Sequence, residues 1–491
     1  MKKYVLAIDQ GTTSTRCVLY THEGKAFFKA QQEVECLFPH SGWVEQNALD
    51  LYLSVLNVIN DALLKTNLTY EDIDSIGITN QRETTIVWEK ETGMPVYNAI
   101  VWQSRQSSNI CDKWRKYEKI VHQKTGLIIN PYFSASKIRF ILDHIENGQK
   151  RAENGELMFG TVDTWIMYKL SKNKIFKTDV TNASRTMFFN INTLQYDDEL
   201  LTLFNIPKIM LPEVCQSSCL FGYASVLKED LAITGVAGDQ QAALFGQNCF
   251  ELGEGKNTYG TGCFMLVNTG DKPVISNNGL ITTIAWEING KVSYALEGSV
   301  FIGGASIQWL RDEMRMIKSA SESETYAKRV KSSNGVYVVP AFVGLGAPYW
   351  DDECRGAIFG LTRSTTKEHF IRATLNSIAL QVKDVIETME KDASTKIKTL
   401  KVDGGATQNE YLLQFQSDIL KAKILLPNCL ETTSLGVAYL AGLKTGFWKN
   451  LDEIKKIHGY QKEFNPMMDD KDIKEISSKW KKAIEATRIF K

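Results

Sequence analysis

Apolar residues at the start of the chain come in short unbroken runs between polar turns. Tyr4 to Ile8 has the pattern of a buried strand, Cys17 to Tyr20 that of a second, and His22-Glu23-Gly24 turns the chain into a third near Ala26 to Val34. The period then changes. Leu49, Leu53, Leu56, Ile59 and Leu63 recur at three and four, which predicts a helix from about Leu49 to Lys65. Asp74 to Thr79 returns to strand character. Thr85 to Trp88 and Pro95 to Val101, on either side of Thr92-Gly93, predict a hairpin.

The second half repeats this plan. Lys256 to Tyr259 and Cys263 to Val267 are strands around Gly260-Thr261-Gly262, and Asn289-Gly290 joins strands Thr282 to Glu287 and Val292 to Leu296. Ile371, Leu375, Ile378, Val382, Val385 and Met389 form one face of a long helix from Thr366 to Met389, for which Thr365 and Glu368 offer a capping box. Strand Thr399 to Val402, helix Asn409 to Leu420, strand Lys423 to Leu426 and helix Ser434 to Thr445 follow. Two similar α/β halves around a cleft are expected, meeting near Phe245-Gly246 within Gly238 to Gln247, hence halves 1–246 and 247–491.

The length of 491 residues suits two large domains or three ordinary ones. Hydrophobic residues make up 43% and charged residues 23%, as in a soluble globular protein. Lys+Arg 57 balances Asp+Glu 57, so no net field draws in nucleic acid or an anionic membrane, and a polyanionic substrate needs local binding devices. No segment approaches the roughly 18 apolar residues of a membrane span. Lys2 and Lys3 are followed by an apolar run too short for a signal-peptide core, and Arg488-Ile489-Phe490-Lys491 carries no lipidation or peroxisomal signal. The nine cysteines are odd in number and contain no CxxC pair; Cys215 and Cys219, the closest, have no neighbouring His. Reduced thiols in a cytoplasmic protein are expected.

Three loops carry candidate chemistry. In Asp9-Gln10-Gly11-Thr12-Thr13-Ser14, Gly11 allows a tight turn whose N–H groups point at a phosphate, and Thr12, Thr13 and Ser14 add hydroxyls. Arg16 offers a planar fork to a phosphoryl group, and Asp9 can hold Mg²⁺ through water. A plain hairpin turn accounts for this loop as well, taken singly. Tyr259-Gly260-Thr261-Gly262 occupies the equivalent place in the other half, and two such loops facing one cleft clamp a nucleotide. The third, Asp403-Gly404-Gly405-Ala406-Thr407-Gln408-Asn409, follows a strand and opens a helix, with glycines that admit a purine or its ribose. There is no Walker A sequence and no dinucleotide fingerprint at a strand end.

At these loops the chain resembles the actin-like ATPase superfamily and, within it, the FGGY carbohydrate kinases. The resemblance spans essentially the whole chain and implies a duplicated RNase-H-like α/β fold, with the nucleotide between the halves. Tyr132 to Asp143 and Gly356 to Asn376 are similar to the family's two signature regions; Phe140 stands where Trp is common, and Asn376 where an acidic residue or Gln is usual. Ile78 to Thr85, Ala99 to Gln103, Asn130 to Ser134, Gly160 to Trp165, Thr181 to Thr186, Ala237 to Gln241 and Gly260 to Phe264 are similar, almost letter for letter, to the members that phosphorylate glycerol.

Carried over residue by residue, the resemblance implies a glycerol site of Arg82, Glu83, Trp102, Tyr132, Asp239, Gln240 and Phe264. An Arg–Glu pair supplies a donor and an acceptor for hydroxyls, although a surface ion pair is the ordinary fate of such neighbours. Trp102 and Phe264 wall the carbon edge, although core packing is the usual role of either alone. Asp239 is the expected general base. The same Asp can serve as cap of the helix Gln240 to Gln247. The resemblance places Thr12, Thr13, Ser14 and Arg16 on ATP phosphates, and Thr261, Gly304, Gln308, Gly405 and Asn409 around the rest of ATP. Asp9 and Asp239 are the expected Mg²⁺ holders, and Asp239 with Arg16 the catalytic pair.

The expected activity is direct transfer of the γ-phosphate of ATP to glycerol, giving sn-glycerol 3-phosphate, in a cytoplasmic homodimer or homotetramer. The rivals are an FGGY kinase for a pentulose or sugar acid, and a non-catalytic actin-like nucleotide switch. None of the six histidines makes a catalytic pair. Some bacterial members bind fructose 1,6-bisphosphate, or are phosphorylated on a His, just ahead of the Asp239 run. Here Tyr223 to Thr234 holds no Arg and no His, and Lys228 is followed by Glu229 and Asp230, so neither control is expected.

Overall fold

A computed structural model of the chain describes residues 3–351 and 353–490; Lys2 and Lys491 lie outside the described residues. Alternation within the first strand sets the layers of the first half. β1 (Tyr4–Gln10) turns Leu6 and Ile8 to the face covered by Leu51, Val55 and Ile59 of α1 (Ala48–Thr66). Val5 and Ala7 face the other way and meet Leu435, Val437 and Ala438, from a helix close to the far end of the chain. A strand buried on both faces must be apolar throughout, which is why Tyr4 to Ile8 reads as an unbroken run.

β2 (Ser14–Tyr20) and β3 (Ala26–Glu33) extend this sheet antiparallel to β1. β4 (Ile73–Asn80) lies parallel on the other side of β1. β5 (Ser218–Tyr223) and β6 (Ala232–Gly238) complete it, giving the order β5-β6-β4-β1-β2-β3. α2 (Asp239–Gly246) leaves the end of β6. Residues between β4 and β5 form a lobe of shorter helices with its own apolar core.

The second sheet is built from β7 (Gly255–Tyr259), β8 (Cys263–Gly270), β9 (Ile281–Ile288), β10 (Lys291–Val300), β11 (Thr399–Asp403), β12 (Lys423–Pro427) and β13 (Tyr460–Phe464). Their order is β9-β10-β8-β7-β11-β12-β13. β10-β8-β7-β11-β12-β13 repeats the pairing senses of β3-β2-β1-β4-β6-β5: antiparallel, antiparallel, parallel, parallel, antiparallel. The duplication is therefore visible in the hydrogen bonds. α3 (Ala305–Asp312), α4 (Lys367–Ala393), α5 (Glu410–Leu420), α6 (Thr432–Thr445) and α7 (Asp470–Ile489) surround this sheet, except that α6 crosses to the first one.

α2 and α6 occupy equivalent places after β6 and β12 and pack on each other. A Cβ at Gly246 or Gly436 would overlap the carbonyl oxygen of Thr432 or Ala242, so glycine is required for the crossing.

Several local expectations need correction. The cap of α4 is Thr366, whose N–H donates to His369 Nδ1 at 3.1 Å; the Thr365–Glu368 box does not form, because the helix starts one residue later. Thr85 and Trp88 do bridge Ile100 and Pro95, but the ladder of Ile86–Glu89 is with Leu157–Gly160. Asn289 (φ 51°) and Gly290 (φ 73°) form the expected turn. Among the described residues no helix is long and apolar enough to cross a membrane.

Candidate active site

The loop between β1 and β2 is held from behind. Gly11 O accepts from Gln10 Nε2 at 2.9 Å, Thr12 O from Gln46 Nε2 at 2.7 Å, and Thr13 O from the Val34 N–H at 2.9 Å. Three consecutive carbonyls are thus satisfied, Thr13 is exposed and Ser14 is buried. At the end of β1, Asp9 pairs in register with Arg16, Nη1 lying 3.6 Å from Asp9 Oδ2 and 3.6 Å from Glu431 Oε2. Burial pushes the Asp9 carboxyl up to about 6 against the pull of Arg16, and the charges of Asp239 and Glu431 add to the rise.

The equivalent loop of the second half is tied to α3. Gly303 N and Ala305 N donate to Thr261 O at 2.8 and 3.1 Å, and Gly304 N to Gly260 O at 2.9 Å. Thr261 and Gln308 are exposed at its rim. In the third loop Gly404 has φ 93°, and a Cβ there would collide with the Tyr259 carbonyl. Nothing crowds Gly405, which is exposed. Asn409 caps α5, accepting from Leu412 N at 2.9 Å. The structure thus joins Thr261 to Gly304 and sets the third loop against Tyr259.

Arg82 and Glu83 follow β4 and are 3% and 1% exposed, so the ordinary surface pair is excluded. Glu83 has φ 62°, and Thr84 N donates to Arg82 O at 2.7 Å, so the chain makes a three-residue turn. Across this turn Arg82 Nε lies 3.9 Å from Glu83 Oε1, an ion pair without a hydrogen bond. Arg82 instead forks onto Glu297 of β10, Nη1–Oε2 2.5 Å and Nη2–Oε1 3.1 Å. Glu83 Oε1 takes the Arg185 Nε at 2.5 Å, and Arg185 Nη2 also reaches Glu297 Oε1 at 3.1 Å. Burial pushes the Glu297 carboxyl up, but the two guanidiniums outweigh it and hold Glu297 down at about 2.

Around this square stand most of the other expected residues. Arg82 Nη2 donates to the Tyr132 hydroxyl at 3.4 Å, and Tyr132 meets Trp102 edge to face with ring centroids 5.5 Å apart. Asp239 is the first residue of α2, with Gly238 at the cap position, so it does not cap the helix. Its Oδ1 accepts from the Gln240 N–H at 2.7 Å and faces Arg82 Nε at 3.1 Å. Gln240 Oε1 accepts from Lys256 Nζ, which also donates to Thr258 Oγ1 at 3.0 Å. Phe264, half-buried on β8, pairs in register with Thr258.

Glu297, Lys256 and Gln46 were not singled out from the sequence. The available signal for Glu297 is a charge set among the apolar residues Tyr294, Ala295, Leu296 and Val300; Lys256, in Gly255-Lys256-Asn257-Thr258-Tyr259, has no such contrast. Of the departures in the signature regions, Phe140 is 5% exposed and stacks on His144, and Asn376 Oδ1 accepts from the Tyr411 hydroxyl at 2.6 Å.

Comparison with known proteins follows this architecture. Residues 4–246 match the N-terminal domain model of the FGGY family of carbohydrate kinases, and residues 255–445 its C-terminal domain model. The chain is 58% identical over 496 aligned residues, with all of both chains covered, to a glycerol kinase of Bacillus anthracis, and equally so to one of Bacillus mycoides. The solved structure of Plasmodium falciparum glycerol kinase with ADP is 37% identical, with a TM-score of 0.94 over 99% of this chain and 98% of that one. Lactobacillus acidophilus gluconate kinase, 22% identical with a TM-score of 0.86 over 99% and 96% of the two chains, shares the fold. With both domain models matched in order and the full length shared with close relatives, the chain belongs to the FGGY family of carbohydrate kinases.

Proposed function

We propose that this protein phosphorylates glycerol at a terminal hydroxyl with ATP as donor. The full-length similarity to glycerol kinases supports both substrates. The observation that carries the mechanism is the state of Asp239. Its Oδ1 is occupied by Arg82 and by the Gln240 N–H, while among the described residues Oδ2 accepts no hydrogen bond. Oδ2 is therefore the atom that takes the proton as a substrate oxygen attacks phosphorus. Arg82 and Glu83 read the hydroxyls, with Tyr132 and Gln240 beside them, and Trp102 and Phe264 border the carbon edge.

Thr12, Thr13, Ser14 and Arg16 face the phosphates in this reading. Thr261, Gly304, Gln308, Gly405 and Asn409 line the rest of the nucleotide, with Gly405 offering an open approach. Asp9 and Asp239 are hard oxygen donors close enough to raise the Asp9 carboxyl, and a pair of carboxylates plus phosphate oxygens suits Mg²⁺. When bound, Mg²⁺ supplies neutralisation of phosphate charge. Arg16, between Asp9 and Glu431, is a cation of the protein at that edge, and Lys29 pairs with the same Glu431 at 2.6 Å. Halves 1–246 and 247–491, a cytoplasmic setting and a homodimer or homotetramer complete the reading, the last testable by light scattering.

The deciding experiment is coupled ADP release with glycerol, dihydroxyacetone, xylulose, ribulose and gluconate. Glycerol-dependent turnover is expected to dominate. Preference for a pentulose or gluconate, or turnover that needs no polyol, overturns the assignment.

A further inference from the structure

We infer that Glu297 is a positioning residue for polyol recognition: it keeps Arg82 from closing onto Glu83 in a hydrogen-bonded pair, so that the two act on substrate hydroxyls as a donor and an acceptor. The inference rests on the proposed function and deepens it. Glu297 lies on β10 of the second sheet, whereas Arg82, Glu83 and Arg185 belong to the first half.

Adjacent Arg and Glu side chains at a buried site attract each other strongly and, left alone, would close into a pair that reads nothing else. Here each is anchored by a third party. Arg82 uses both terminal nitrogens on Glu297, at 2.5 and 3.1 Å, and directs Nε toward Asp239 at 3.1 Å; its remaining N–H groups make only the long contacts to Gln241 Oε1 at 3.3 Å and the Tyr132 hydroxyl at 3.4 Å, which a substrate hydroxyl would replace. Arg185, stacked over Tyr132 and Phe133 with its Cζ 5.7 and 5.2 Å from their centroids, draws Glu83 Oε1 the other way at 2.5 Å. Among the described residues Glu83 Oε2 accepts no hydrogen bond and is left for a hydroxyl.

A second observation is independent of these ion pairs. The φ of 62° at Glu83 is a strained backbone for a residue with a side chain, and such strain persists only where the surroundings over-determine it. The Glu83 carbonyl is fixed by Thr85 Oγ1 at 3.0 Å and by Ser134 Oγ at 3.1 Å. With the backbone bent here, Glu297 and Arg185 hold the Arg82 and Glu83 side chains at an ion-pair distance of 3.9 Å, without a direct hydrogen bond.

The test is calorimetric binding of glycerol and of ADP to Glu297→Gln, Glu83→Gln and the double variant, with the unmodified protein alongside. Glu297→Gln is expected to weaken glycerol about tenfold to a hundredfold through loss of a charge-assisted fork. ADP affinity should stay within about threefold, since the fork touches no proposed nucleotide residue. Because an unrestrained Arg82 already quenches Glu83, the double variant should be hardly weaker for glycerol than the weaker single one. Additive losses, or equal loss of glycerol and ADP, overturn the inference. If Glu297→Gln does not fold, Glu297→Asp keeps the charge and lacks the reach, and takes its place in the same cycle with the same expected outcomes. Glycerol turnover by the unmodified protein is read separately, so failure of the proposed substrate is distinguishable from failure of the role of Glu297.

Discussion

The indole N–H of Trp102 donates to Thr12 Oγ1 at 2.9 Å, tying a wall of the proposed polyol pocket to the proposed phosphate loop. The tie closes a ring. Thr12 O accepts from Gln46 at 2.7 Å, Gln46 Oε1 from Gln81 at 2.8 Å, Gln81 Oε1 from Thr84 at 3.1 Å, and Thr84 Oγ1 from the Trp102 N–H at 3.3 Å. Trp102→Phe keeps the wall and opens the ring. A single hydrogen bond of about 0.5–1.5 kcal/mol predicts a rise of roughly two- to tenfold in KM for both glycerol and ATP. Steady-state kinetics with each substrate varied decide this; movement of the glycerol KM alone would mean that the ring couples nothing.

Asp239→Asn keeps an oxygen for Arg82 and the Gln240 N–H and removes the proton acceptor. We expect kcat to fall about 10²–10⁴-fold, with glycerol affinity little changed. A variant that retained most of its kcat would rule out Asp239 as the base.

Asp384, 7% exposed beneath α7, is pushed up to about 6 by burial, against the N–H of Trp480 and the hydroxyl of Tyr349, with Glu387 adding to the rise. Its folded value lies above the unfolded 3.8, so its contribution is full below about pH 4 and is lost as pH rises through 6. The gap corresponds to about 3 kcal/mol. Both donors bond Oδ2, at 2.7 and 3.0 Å, so Asn preserves them and removes the charge. Thermal melts should show Asp384→Asn gaining on the unmodified protein between about pH 4 and about pH 6. Parallel curves would exclude this carboxyl as the source.

Lys228, the cation of the loop Tyr223 to Thr234, is bonded to Glu71 and lies 3.7 Å from Asp230. Its charge is already balanced within the chain. Activity should therefore be unchanged by millimolar fructose 1,6-bisphosphate at fixed ionic strength. Saturable inhibition that does not compete with ATP would show an effector site here or elsewhere.

Patterns that depend on neighbours in sequence were legible. β1 and β2 around Gly11, β9 and β10 around Asn289-Gly290, and the apolar stripe of α4 are local in origin, and the duplication followed from their order. What was hidden depends on who meets whom. Arg82-Glu83 reads as a pair, yet each side chain is bound by a residue more than a hundred positions away. A Glu within an apolar strand, as Glu297 is, signals a buried charge, but periodicity carries no record of its partner. The start of α4 was missed by one residue because Thr365 and Thr366 are equally good caps and only the backbone bonds choose between them.

The passage of α6 onto the first sheet has a consequence for how the protein is made. Val5, Ala7, Val18 and Tyr20 leave a ribosome long before the residues that cover them, Leu435, Val437, Ala438 and Tyr439. Until translation has passed Thr445, that face of the first sheet has no native lid. The first half cannot therefore mature as an independent unit during synthesis. Its apolar face needs shielding until α6 has been made, and a ribosome that stalls before Thr432 releases a chain whose β1 still presents Val5 and Ala7 to water.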